Sequence, residues 1–458
     1  MNETLDHILS VTVGYAWGAP LLILLVGGGF ILTLYSRFLP FVGMRHAFEI
    51  LRGKFYQEGD PGDISHFQAL STHLAATVGL GNIGGVAIAI TQGGPGAVFW
   101  MWVSALVGMA TKFFTCTLAV MYRSEDSLGQ IQGGPMYYIE KGLGKNFKFM
   151  AIFFSVCGML GCLAMFQANQ VAEILDKNYA IEPWQTGLGM TFLVGAVVLG
   201  GIKRIAKVAS QLVPAMCSIY LLSSVIVVIS HYSLVPQILT QIFHDAFTGT
   251  AATGGIAGIS FTTVVQTGIK RAAFSNEAGI GTAPMAHGAT KTTEPVREGL
   301  VGMIGPFIDT IIVCTLTALV ILSTGNWKIQ GIQGVSLTSQ AFGTALGSWG
   351  ELSLMAVVLL FGVSTMFGYS YYGKKCFSYL FGAEKSWIYN LLYLGMLFIG
   401  ATWSASMVIN LVDTAFALMA LPNMIATLLL APKVMAATKD YLARYCPNTK
   451  LIRKKMIE

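Results

Sequence analysis

The sequence predicts an all-helical membrane protein of about eleven transmembrane helices, with one extra N-terminal helix and two five-helix repeats of opposite orientation. Three observations predict it. The 458-residue chain is 54% hydrophobic and 11% charged, where soluble domains carry about 25% charged residues. Eleven apolar segments long enough to span a bilayer can be marked along it. Two of them, five segments apart, are interrupted by glycines and polar residues. Broken spans at corresponding places in two halves point to inverted repeats that meet at a midplane site.

The segments run roughly over 17–34, 66–92, 97–121, 149–173, 184–201, 208–231, 256–289, 299–322, 350–373, 386–403 and 406–430. Residues 1–60 are expected to hold the extra helix and a surface helix. The first repeat is assigned to 61–232 and the second to 233–432, with a basic tail over 433–458. Within the first unit, residues 37–56 alternate basic and apolar positions, as in a helix lying on a membrane surface. Residues 234–247 and 336–346 can form short external helices or plain loops.

Orientation follows from lysine and arginine, which favour the cytoplasmic side. All of the 28 basic residues except Lys112, Lys177, Lys270, Arg271 and Lys328 fall after the odd-numbered segments or in the tail. The alternate loops hold Lys177 and Lys328 beside Glu173, Asp176, Glu182, Asp245 and Glu351. The expected topology has the N-terminus outside and the C-terminus inside, in a plasma (bacterial inner) membrane. The N-terminus, MNETLDHILS, is acidic and polar and lacks the basic start of a signal peptide.

The first interruption is Val78-Gly79-Leu80-Gly81-Asn82-Ile83-Gly84-Gly85, with four glycines in its last seven residues. Such a run is poor material for a continuous helix. Opened backbone in a bilayer must line a cavity or be buried in protein. The second is Phe274-Ser275-Asn276-Glu277-Ala278-Gly279-Ile280-Gly281-Thr282-Ala283-Pro284. Half-helix N-termini then suit anions and C-termini suit cations. The competing reading is glycine-notched helix packing.

Composition also excludes chemistry. No HExxH, GxSxG or Cys/His metal spacing occurs, so nothing points to an enzyme. The seven cysteines carry no metal or disulfide pattern. Three acids at membrane depth, Glu277, Asp309 and Asp413, are functional candidates by default. Asp309 is the best candidate for cation coupling. Glu277 is placed for an internal salt bridge with Lys270 and Arg271, and Asp413 reads as structural. Lys112 reads as snorkelling toward the cytoplasm, and His73 and His287 as polar packing residues or pH sensors.

Several stretches together resemble one family. They are FQALSTHLAATVGLGNIGGVA (67–87), GGPGAVFWMWVSALVG (93–108), GGPMYYIEKGLG (133–144), GGIKRIAKV (200–208), FSNEAGIGTAP (274–284) and IDTIIVCTLTAL (308–319). They resemble the alanine/glycine:cation symporters, which have the leucine-transporter fold. The resemblance covers nearly the whole chain. It implies secondary active transport of a small neutral amino acid, alanine or glycine, with sodium. A proton-coupled carrier of another amino acid and a channel remain the alternatives.

For a zwitterionic substrate, the amides of Leu80, Gly81 and Asn82 open the second half-helix and suit a carboxylate. Thr77 and Gly79 flank them. The ammonium group would sit among opened carbonyls around Phe274, Ser275 and Gly279. The family carries an Asn in its pocket at the place of Asn169, while Phe274 and Tyr369 could cover the substrate side chain. For sodium, the resemblance brings the carbonyls of Ala75 and Val78 to face Phe361, Ser364 and Thr365. The last three have the i, i+3, i+4 spacing of one helix face. Ser and Thr here could instead bond their own preceding turn. A second, weaker cation site is expected at Thr77, Asn82 and Asp309. His73, Gln170, Tyr369 and Lys374 depart from the family's usual residues near the expected cavity.

Overall fold

Serine 65 starts the first broken span. Its hydroxyl accepts from the Gln68 amide, and the Gln68 side chain accepts from the Ser65 amide in return. This reciprocal cap satisfies two donors that a helix start leaves free. The half-helix His66–Thr77 ends at Val78, which adopts φ −72°, ψ 90°. A second half resumes as Gly81–Gly85 and Val86–Gly93, bent by 50° from the first. The computed structural model describes residues 2–55, 59–248, 260–329 and 331–445. The end of the basic tail, 446–458, and the start of the seventh segment, 256–259, lie outside the described residues.

Every predicted apolar segment coincides with helix over most of its described residues. Six helices are long and apolar enough to span alone, and two bent pairs bring the number to eight among the described residues. Pro183–Val198, Phe261–Asn276 and Ser386–Thr402 have 16, 16 and 17 residues and fall just short of that length. Helices also occupy the two external positions, Val235–Thr248 and Gly334–Leu346. Met44–Leu51 forms within the expected surface helix and turns His46, Ala47 and Ile50 inward.

The bundle is organised around Ala97–Met121, whose most apolar window is 89% buried; Gly201–Ser230, at 28%, lies on the periphery. Pro295–Gly302 packs closely on the former. A Cβ on Gly302 would meet Cys116 Sγ at 2.6 Å, and one on Gly299 would overlap the Thr117 hydroxyl. Small residues here replace the hydrophobic drive that lipid cannot supply between helices.

The second broken span runs as Phe261–Asn276 and Ala283–His287. Between them Glu277 takes φ 55°, Gly279 86° and Gly281 101°. The Asn276 side chain accepts from the Ala278 amide at 2.9 Å and stabilises the turn.

Three features depart from expectation. The fourth segment is also interrupted: Lys148–Gly161 and Met165–Tyr179 are separated by Cys162–Ala164, with Ala164 at φ 53°. The segment carries no polar or proline signal there. The last helix runs from Ala405 to Tyr445, past position 433 where a tail was expected, because Val434, Met435, Thr438, Tyr441 and Leu442 are buried. The first segment begins earlier, as Asn2–Ala16 bent into Ala19–Tyr35.

Candidate functional site

At the first break the Gly79 amide, released from its helix, donates to Asn82 Oδ1 at 2.8 Å. The Asn82 amide bonds back to the Gly79 carbonyl at 3.1 Å. One side chain therefore holds the turn in place of the lost helical bond. Asn82 Nδ2 in turn donates to Asp309, to its carbonyl at 3.0 Å and to Oδ1 at 2.7 Å. Asp309 is fully buried in a wide helical turn, Phe307–Cys314. Its Oδ2 accepts from Ser275 at 2.6 Å and from Thr310 at 2.9 Å, and Asn276 donates to Thr310 at 2.9 Å. Both breaks are thus tied to one buried carboxylate.

Asn82 was expected beside Asp309 in a cation site, and Ser275 in the substrate site. The bond between Ser275 and Asp309 was not anticipated, and Thr310 and Asn276 were not singled out as ligands. Thr310 stands next to Asp309 in the IDT stretch, a signal that could have found it. Of the weaker second cation set, Asn82 and Asp309 are in contact, whereas Thr77 turns its hydroxyl back to the His73 carbonyl at 3.1 Å.

The first cation set comes together. A Cβ on Gly79 would overlap the Thr365 hydroxyl, and the Phe361 carbonyl lies 3.8 Å from the same point. Ser364 donates to the carbonyls of Ala75 at 3.2 Å and Phe361 at 3.0 Å. Val78, by its extended ψ, turns its own carbonyl away from the helical direction. The Thr365 hydroxyl is buried without any hydrogen-bond partner. Thr117, Thr317, Thr427 and Thr438, equally buried, each bond the preceding turn. Thr365 does not, so its oxygen is left for something else. These oxygens suit a hard cation such as sodium.

An aromatic wall closes the space beside the first break. Phe274 packs on Phe166 at 5.0 Å and Phe416 at 5.7 Å between ring centroids. Its ring edge would lie 3.2 Å from a Cβ on Gly81. Tyr369 reaches the same wall through Phe416 at 6.3 Å. Phe166 and Phe416 were not anticipated, because both lie on spans far from Phe274 in sequence. Leu80 is fully buried at the start of the second half-helix.

Other expected positions are engaged elsewhere. Asn169 donates to the carbonyls of Gly400 at 3.2 Å and Trp403 at 2.7 Å, which end a neighbouring helix. The Gly279 carbonyl accepts from Asn423 at 2.7 Å, and a Cβ on Gly279 would meet Met424 Sδ at 3.2 Å; it faces the last helix. Lys270 and Arg271 pair with Asp413, Lys270 at 3.4 Å, instead of with Glu277, which accepts from Thr282. Lys112 does not snorkel. It is 1% exposed, with Nζ 2.9 Å from His73 Nε2. Gln170 bonds Glu173 at 3.0 Å. Lys374 lines a cavity of about 260 Å³ with Asp63, Asp126, Lys203 and Lys375, on the face that carries the basic loops.

Broken helices joined at a buried polar centre are the architecture of membrane transporters. Solved structures agree at the level of fold. A Na+-coupled sialic acid symporter covers 91% of this chain and 98% of its own, with TM-score 0.56 and 11% identity. Mhp1, a nucleobase-cation-symport-1 transporter, covers 88% with TM-score 0.51. The chain belongs to the sodium:alanine symporter family, whose profile matches residues 2–454. It is 41% identical to the sodium/alanine symporter AgcS of Methanococcus maripaludis, over 95% of this chain and 96% of that one. A probable sodium/glutamine symporter, GlnT of Bacillus subtilis, is 35% identical over 96% of this chain and 91% of its own.

Proposed function

We propose that the protein carries a small neutral amino acid, alanine or glycine, into the cell together with sodium by alternating access. The observation that carries this reading is the unpartnered Thr365 hydroxyl beside Gly79, next to the carbonyls of Ala75 and Phe361. A buried oxygen without a donor costs stability unless a ligand uses it. Sodium bound there would hold the inner half of the first broken span against Ser348–Phe381. The Ser364 hydroxyl already bridges the two carbonyls and can offer its lone pair to the ion.

The substrate carboxylate is assigned to the amides that open the second half-helix, where the dipole is positive. Phe166, Phe274, Phe416 and Tyr369 form an aromatic wall beside the first break, which suits a small apolar side chain such as that of alanine. The membrane orientation, N-terminus outside, follows from the basic loops. The test is uptake of labelled alanine, glycine and glutamine into proteoliposomes with and without a sodium gradient. Failure to move alanine or glycine, or equal uptake without sodium, overturns the reading.

A further inference from the structure

The inner halves of the two broken spans do not meet only through backbone packing. They share a carboxylate. His66, the first residue of one half-helix, presents Nδ1 to Glu298 Oε1 at 2.7 Å. His287, the last residue of the other, presents Nδ1 to Glu298 Oε2 at 2.8 Å. Glu298 and His287 are wholly buried, and the His66 side chain is 5% exposed.

The order of donors through this cluster is fixed from its inner end. Lys112, a donor only, lies 2.9 Å from His73 Nε2, which must then accept. His73 therefore carries its proton on Nδ1, which faces His287 Nε2 at 3.4 Å. His287 Nε2 must accept in turn, so this ring is neutral and donates from Nδ1 to Glu298. Only His66 is free to hold an additional proton on Nε2, and it is the one imidazole of the cluster with any exposure.

Charge balance asks for that proton. Lys112 faces Glu277 and Asp309 as well as His73, so two other buried carboxylates share that ammonium. Arg271 and Lys270 are taken by Asp413. Around Glu298 the remaining neighbours are Cys116 and the half-buried Arg123. Arg123 donates to the carbonyls of Thr290 and Thr292. Arg297 stacks on Tyr445 at 4.9 Å, His46 bonds Tyr441 at 2.8 Å, and Glu294 is held by Arg444. None of them donates to Glu298. Arg123 acts on Glu298 only through space, and a buried carboxylate with no cation in hydrogen-bond contact is strongly unfavourable.

We propose that His66, Glu298 and His287 form a proton-binding site that latches the inner halves of both broken spans, so that opening of this face is linked to proton release. This rests on the alternating-access reading above. With the proton on His66, an imidazolium–carboxylate pair and the His287 hydrogen bond hold the two half-helices to Glu298. Opening separates them, exposes His66, and the Nε2 proton leaves to water on the basic face. Linkage is reciprocal: alkaline pH on this face favours opening and acid holds it shut.

The test is hydrogen–deuterium exchange of the purified full-length protein, without amino acid, across pH and corrected for intrinsic exchange. In the wild type, exchange of the 66–77 and 283–287 segments should rise with pH between the titrations of the open and the latched site, by up to about tenfold per pH unit for one released proton, and level off above the latter. His66→Gln can still donate to Glu298 but cannot titrate, and Glu298→Gln removes the charge; both should flatten the slope. An unchanged slope in either folded variant overturns the proposal, as does a flat wild-type profile. If Glu298→Gln does not fold, His66→Gln decides. Because no transport is measured, the outcome is independent of whether the alanine and glycine uptake assay succeeds.

Discussion

Asn82 donates one side-chain amide to both the carbonyl and the carboxylate of Asp309, at 3.0 and 2.7 Å. Its oxygen meanwhile holds the amide of Gly79 at 2.8 Å. A single residue therefore fixes the geometry of the first break and binds it to the eighth segment. Ser275 does the same for the second break at 2.6 Å from Asp309. Movement of either half-helix must break charge-assisted bonds in a buried setting, where each is stronger than in water.

Asp309→Asn keeps the shape of this centre and removes its charge. Loss of a charge-assisted contact costs about 1.5–3 kcal/mol, so sodium-driven uptake should need more than about tenfold higher sodium. The measurement is the sodium midpoint of uptake in proteoliposomes. A wild-type midpoint would leave Asp309 as a purely structural anchor.

Gly79→Ala tests the closeness of two helices. The added methyl overlaps the Thr365 hydroxyl, and overpacking of this kind costs roughly 1–3 kcal/mol. Sodium should stabilise the variant less than the wild type in thermal unfolding. Equal sodium stabilisation in both would show that this contact lies outside the ion site.

Asn169 should behave as a fastener between helices. Asn169→Ala leaves the carbonyls of Gly400 and Trp403 without their donor, for a loss of about 1–3 kcal/mol in stability. Amino-acid selectivity in uptake assays should stay as in the wild type. A changed preference among alanine, glycine and glutamine would return the residue to the pocket wall.

The buried pair Arg271–Asp413 joins the second broken span to the last helix. Removing one partner alone strands a charge, at about 3–5 kcal/mol. Asp413→Asn should therefore lower the unfolding temperature more than the paired Arg271→Met/Asp413→Leu replacement does. The reverse order in a thermal scan would contradict the pairing.

The sequence disclosed what periodicity and backbone chemistry control. Glycine runs at 79–85 and 279–281 marked both breaks, since opened backbone needs them. The i, i+3, i+4 spacing put Phe361, Ser364 and Thr365 on one face. What it hid was the choice of partner at long range. Lys270 and Arg271 stand close to Glu277 in sequence, yet the helix directs both toward Asp413, 142 residues from Arg271. Lys112 looked free to snorkel because its partner, His73, lies on a different span. Asn169 faces a helix end that only tertiary packing brings near. The third interruption, at Ala164, has no composition signal, because an αL residue held by surrounding packing requires none.

Ser364 and Thr365 together provide the sharpest test of the cation site. Ser364 already bridges the carbonyls of Ala75 and Phe361, and Thr365 has an oxygen with no partner. Replacing both, as Ser364→Ala/Thr365→Val, leaves an ion with three carbonyls and removes two hydroxyls where no water shell can substitute. Each lost contact should cost about 1.5–3 kcal/mol, more than tenfold in sodium affinity. The Thr365 change by itself should not unfold the protein, since valine fills the same volume and removes an unsatisfied oxygen. Amino-acid affinity should fall along with sodium affinity, because coupling between the two ligands is reciprocal. Raising sodium should restore it, which separates damage at the ion site from damage at the substrate pocket. The measurement is amino-acid binding by calorimetry across a sodium titration. If the sodium midpoint is unmoved in the folded double variant, the ion is held elsewhere, and the Asn82–Asp309 centre becomes the place to look.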